Sequence, residues 1–145
     1  MPTPNYFQAL DSATSRTKFT TEVQTAASGI NKETLQTAVE IALSADDKTA
    51  SLDEEQAAAL EAGFTFATAL VKMLGREPVS DEKLVLYGYF KRARNEEPVK
   101  PAGYQFEAKF KYAAWKKVGH ITEQKAQVEY IKQVDILIDK YGTRS

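Results

Sequence analysis

The chain has 145 residues, 43% hydrophobic and 27% charged, with a net charge of −1, ordinary values for one folded domain with or without an extension. It contains no cysteine, which excludes a disulfide framework and thiolate chemistry and favours a reducing compartment. No apolar run approaches the roughly 20 residues that cross a bilayer, and the near-neutral total lacks the one-sided basic excess of a nucleic-acid binder.

The charge is unevenly spread. Residues 1–57 hold four Lys/Arg against nine Asp/Glu, and residues 58–145 hold 15 against 11. This divides the chain into an acidic N-terminal extension, 1–57, and a module suited to anionic ligands, 58–145. Residues 1–30 carry two prolines and many Thr, Ser and Ala with little periodicity. They are expected to be mostly disordered, with Tyr6, Phe7, Phe19 and Val23 able to dock. Arg16 and Lys18 are too few cations for an organelle-targeting leader, so a cytoplasmic location is expected. Asn31 is a suitable N-cap for a helix over 32–44, where Leu35, Ala38, Val39 and Ala42 share a face.

Ser51 and Glu54 form a capping-box pattern that opens a helix running to Leu74, with Gly75 as its C-cap. Leu60, Phe64, Ala67, Val71 and Leu74 line one side of it, and Gly63 is its weak point. Pro78 precedes a second helix from Ser80 to Ala93 or Arg94. Within it the stretch Leu84–Ala93 has no charged side chain until Lys91, which is more apolar surface than one buried stripe uses. Leu86, Phe90 and Ala93 recur at helical spacing towards a core, while Leu84, Tyr87 and Lys91 form a second line. That second line suits a ligand that is part ring, part anion and part oil; the alternative is a core helix whose lysine reaches out to water. After a Pro- and Gly-containing connector, a third helix spans 106–118. Thr122 caps a fourth helix over 123–141, which Gly142 stops.

Catalytic constellations are missing. His120, the one histidine, reads as a turn residue, and no nucleophile–base pair, metal-ligand spacing or Gly-rich phosphate loop is present. No catalytic residue, metal or cofactor is expected, and the pattern favours binding over turnover. The informative residues are cations interleaved with aromatics: Tyr87 with Lys91, Lys111 between Phe110 and Tyr112, Tyr130, and Lys72. Lysine ammonium groups bind phosphates as point charges and tyrosine hydroxyls add a directed donor.

Taken together, these residues carry a resemblance. Pro78, Leu84-x-x-Tyr87-x-x-Phe90-Lys91-x-Ala93, Lys111-x-x-Ala114-Trp115 and Ala126-x-x-x-Tyr130-Ile131-x-x-Val134-x-x-Leu137-x-x-x-Tyr141-Gly142 resemble the acyl-CoA-binding protein family in order and spacing. The resemblance implies an all-α fold, a four-helix bundle with an up-down-down-up path, here with an additional N-terminal helix. It implies non-enzymatic carrying of long-chain acyl-CoA esters. It places Tyr87, Lys91 and Lys111 around the CoA phosphates, Tyr130 at the adenosine and Lys72 as a further basic position. Phe64, Ala67, Leu84 and Phe110 would lie along or under the acyl chain, and Trp115 reads as a core anchor. Three residues depart from the family's pattern: Phe90 where a tyrosine is usual, Tyr112 where a tryptophan is frequent, and Glu77 where a lysine is common. The connector between the second and third helices also looks about two residues short. The expected partner is a long-chain acyl-CoA, not a nucleic acid, and the protein is expected to be a monomer making transient contact with membranes or acyl-CoA-using enzymes. The rival reading is a protein-interaction adaptor on the same bundle. The extension could pack beside the first helix, cover the groove, pair with another copy or stay free, and its sequence does not choose among these.

Overall fold

A computed structural model of the chain describes residues 3–45, 52–98, 101–103 and 105–144. Among them the regular structure is helical, apart from one antiparallel bridge between Leu74 and Thr143. The helices are α1 (Pro4–Thr14), α2 (Thr21–Ala27), α3 (Lys32–Ser44), α4 (Glu54–Leu70), α5 (Ser80–Ala93), α6 (Phe106–Lys117) and α7 (Glu123–Tyr141). A 3₁₀ turn, Val71–Met73, continues α4.

Local chemistry sets most of the ends. The Thr122 hydroxyl accepts from the Lys125 N–H at 3.0 Å to start α7, and Gly142, at φ +67°, ends it. The Asn31 side chain accepts from the Thr34 N–H at the start of α3. The Ser51 capping box falls outside the described residues. The cap that forms is Asp53, whose carboxylate accepts from the Gln56 N–H at 2.8 Å while Gln56 accepts from the Asp53 N–H at 3.2 Å. This reciprocal pair satisfies two donors that a bare helix start leaves open.

The expected disorder over residues 1–30 does not hold, since α1 and α2 both fall within it. Pro4 stands in the first turn of α1, where its missing N–H costs nothing. Tyr6, Phe7, Leu10 and Ala13 recur at helical spacing and are buried. The Tyr6 hydroxyl donates to the Gly63 carbonyl on α4 at 2.6 Å, and its ring meets Phe66 edge-on at 5.7 Å. The Tyr6 N–H is accepted by Asp135 on α7 at 2.8 Å. Gly63 thereby acquires a reason: a Cβ there would lie 2.7 Å from a Leu35 methyl and 2.9 Å from the Tyr6 hydroxyl.

Helix α7 is the central post, packed by α1, α3, α4 and α5. Its Ala126, Tyr130, Ile131, Val134 and Leu137, all in the family-like motif, are buried, and so is Val128. Val128 lies between Lys125 and Asp135, both of which hold the extension. The Lys125 ammonium donates to the carbonyls of Ala42, Leu43 and Ala45 at 3.1 to 3.3 Å, capping the end of α3. Helix α4 is likewise buried over a wide arc, Phe66 and Leu70 adding to Leu60, Phe64 and Ala67. The tail is tied back where the Gly75 N–H donates to the Gly142 carbonyl at 2.8 Å and the Arg144 N–H to that of Met73 at 2.7 Å. Helix α6 has no buried residue and rests chiefly on α5. Trp115, expected as a core anchor, is only half-buried, 5.7 Å from Tyr112.

Candidate ligand groove

Helices α5 and α6 come close at Gly88, where a Cβ would stand 2.7 Å from the Ala114 carbonyl oxygen. Nearer the start of both helices they border a groove of about 630 Å³, with Leu84, Tyr87, Phe110 and Lys111 along it. That volume lies within the range usual for small-molecule sites. Leu84 and Tyr87 share a face of α5 at i, i+3 spacing. Phe110 is 63% exposed and Phe106, one turn earlier, 69%, so apolar surface continues from the groove along α6.

Charge converges on one ring. The ammonium groups of Lys91 and Lys111 lie 5.9 and 5.6 Å from the centre of the Tyr87 ring, reached from α5 and from α6. Each has a loose carboxylate partner, Glu96 at 3.6 Å for Lys91 and Glu107 at 3.4 Å for Lys111. Partly exposed pairs of this kind are worth about 0–1 kcal/mol, so a multivalent anion displaces them at little cost. Glu77, one of the departures, pairs with Lys83, a lysine that also edges the groove.

The adjoining side of α5 borders a second hollow of about 570 Å³, where Lys72, Phe90, Arg94 and Tyr130 are joined from across by Glu22 and Thr25 of α2. Phe90, Tyr130 and Phe64 form an aromatic cluster, with Phe64 edge-on to Tyr130 at 5.1 Å and 6.0 Å from Phe90. Burial pushes the Tyr130 hydroxyl up to about 12, so near neutral pH it is a neutral donor. The Arg94 guanidinium sits 5.4 Å over the Phe90 ring and 3.2 Å from Glu96. Lys72 pairs with Glu22 at 3.3 Å. A third hollow of about 580 Å³, near the starts of α4 and α7, is edged by Glu54, Glu61 and Glu123 against Arg94, a net negative charge that disfavours anions.

Of the nine residues predicted for the site, Leu84, Tyr87, Phe110 and Lys111 share the groove and Lys91 adjoins it through Tyr87. Lys72 and Tyr130 meet at the second hollow. Phe64 is almost wholly buried beside Tyr130 and edges the acidic hollow, and Ala67 has no exposed surface. Neither presents a free face to the groove. Arg94 is a further cation of the site that the expected set lacks, although Phe90 and Arg94 have the i, i+4 spacing of an aromatic–cation pair. Glu22 and Thr25 also border the site, and no local pattern links them to residues 40 or more positions away. No group of His, Asp and Glu among the described residues is arranged to hold a metal ion.

Residues 61–134 match the family model described as acyl CoA binding protein. An acyl-CoA-binding protein homolog of Drosophila melanogaster is 38% identical over 81 residues, covering 54% of this chain and 94% of the relative. Homolog 1 of Caenorhabditis elegans is 36% identical over 81 residues with the same coverage. The acyl-CoA-binding protein of Saccharomyces cerevisiae is 33% identical over 75 residues, covering 50% of this chain and 86% of the relative. No solved structure gives a significant match.

Proposed function

The chain belongs to the acyl-CoA-binding protein family, and on that premise we propose that it binds long-chain acyl-CoA esters and carries them without turning them over. The observation that supports this most is that two ammonium groups, Lys91 from α5 and Lys111 from α6, lie 5.9 and 5.6 Å from the centre of the Tyr87 ring, at the edge of an apolar groove. In this reading the lysines neutralise the CoA phosphates and the Tyr87 hydroxyl donates to them. Leu84 and Phe110 shelter the acyl chain, each buried methylene adding up to about 0.8 kcal/mol. Phe64, packed on Phe90 and Tyr130, and Ala67, one turn on, back the site from the core. Tyr130, Phe90 and Lys72 receive the adenosine end. The binding domain is residues 58–145, the extension 1–57 packs against it, and the carrier works as a cytoplasmic monomer. No described helix is long and apolar enough to cross a membrane.

Calorimetry tests the reading. Palmitoyl-CoA is expected to bind tightly, and free CoA and free palmitate weakly, because each supplies only one of the two driving forces. Lys91→Ala should weaken CoA esters of every chain length by a similar factor. Equal affinity for palmitate and palmitoyl-CoA, or a Lys91→Ala loss confined to the longest chains, contradicts the assignment. A second reading, a protein-interaction adaptor, is favoured by Glu77 pairing with Lys83 at the groove edge. It predicts no palmitoyl-CoA response in Trp115 fluorescence or in calorimetry.

A further inference from the structure

We propose that helix α2 of the N-terminal extension is a working wall of the nucleotide end of the site, with Glu22 as a positioning residue that holds Lys72 and weakens phosphate binding there. This rests on the acyl-CoA reading above and extends it to residues outside the matched segment 61–134.

Helix α2 has two faces. Val23 and Ala27, four residues apart, are buried, and α2 packs on α4. Glu22, Thr25 and Ala26 share the other face by i, i+3 and i, i+4 spacing and look across the hollow at Lys72, Phe90, Arg94 and Tyr130. With two aromatic rings and two cations, the hollow has the ingredients for a ring-and-phosphate ligand, and its volume of about 570 Å³ accommodates one. Its far wall belongs to the extension, so the extension is part of what such a ligand touches.

Glu22 opposes the cations. Its carboxylate lies 3.3 Å from the Lys72 ammonium, and both side chains are more than two-thirds exposed. A pair this open is readily exchanged, so a phosphate displaces Glu22 from Lys72, but it then faces a nearby negative charge. The extension therefore moderates the affinity of the nucleotide end and makes it depend on salt. Thr25 acts differently, because its size determines how much of the hollow stays open.

Calorimetry of the full chain with palmitoyl-CoA tests this. Glu22→Gln is expected to tighten binding by about two- to fivefold in low salt. The gain should vanish at 1 M salt, where screening acts over about 3 Å; a change acting only through packing would not have that dependence. Thr25→Trp, at an exposed position, is expected to fill the hollow and weaken palmitoyl-CoA binding at least tenfold with the melting temperature unchanged. If the unaltered chain binds palmitoyl-CoA and both variants bind it with the same affinity, the α2 wall is overturned while the carrier reading stands. If the unaltered chain does not bind it, both fall.

Discussion

Glu82 shows how much a single carboxylate can join. It accepts from the Val79 N–H at 3.0 Å at the start of α5, from the Tyr141 hydroxyl at 2.6 Å and from the Lys140 ammonium at 2.9 Å at the end of α7. The Tyr141 hydrogen bond first, and that of Lys140 next, lower its pKa from the ordinary 4.5 to about 2. The sign follows from linkage: the folded state holds the proton less tightly than the unfolded one, so stability rises with pH across that interval. The contribution is complete above about pH 4.5 and is lost as pH falls through about 2. Melting temperatures of Glu82→Gln and the unaltered chain should therefore differ most above pH 4.5 and converge towards pH 2. A constant gap would refute the clamp. Tyr87 and Lys91 were legible at this scale because helical spacing alone puts them one turn apart. Glu22 was not, because only the packing of α2 on α4 brings it within 3.3 Å of Lys72.

Among the elements, α5 does the most. One face sends Leu86 and Ala93 into the core, another presents Tyr87 and Lys91, and Gly88 lets α6 approach. A methyl at Gly88 meets the Ala114 carbonyl at 2.7 Å, and backbone yields less easily than a side chain. Alanine is the better helix former by about 1 kcal/mol, but overpacking costs about 1–3 kcal/mol, so sterics win. Gly88→Ala is expected to lower the denaturation midpoint and weaken palmitoyl-CoA binding, by prising α6 with Lys111 and Phe110 away from Tyr87. Unchanged stability in a denaturant titration would show that α6 shifts freely. The ends of α5 and α7 were readable because their caps and stops are local. For α4 the sequence offers Ser51 with Glu54 and Asp53 with Gln56 as rival boxes, and the second is the one that forms among the described residues.

At the scale of the molecule, one core runs through the extension and the family bundle together. Tyr6, Phe7, Leu10, Leu35 and Val39 are fully or almost fully buried, and each large apolar side chain so placed contributes about 1.5–3 kcal/mol. Against a total stability of about 5–15 kcal/mol, losing them is severe. Removing residues 1–50 should bare Phe66 and Val128, lower the denaturation midpoint strongly and raise binding of a hydrophobic dye. A truncated chain with the full chain's midpoint would show that the extension is an ornament. Among the described residues the extension does not line the α5–α6 groove: α1 packs on α7, α3 on α4 and α7, and α2 on α4 at the second hollow.

The amino-acid sequence by itself determined the helical class, the spans of α5 and α7, and the Tyr87, Lys91 and Lys111 pattern, since caps, stops and a 3.6-residue period act over one or two turns. Tertiary structure alone decided that residues 4–14 and 21–27 are ordered, because two short helices are marginal until Tyr6 and Val23 find α4 and α7 to pack on. It also decided that α4 and α7 are buried on two sides, and that an acid on α2 stands beside a lysine 50 residues later. Those outcomes depend on which surfaces meet, and a periodic pattern shows that a face is apolar without naming its partner.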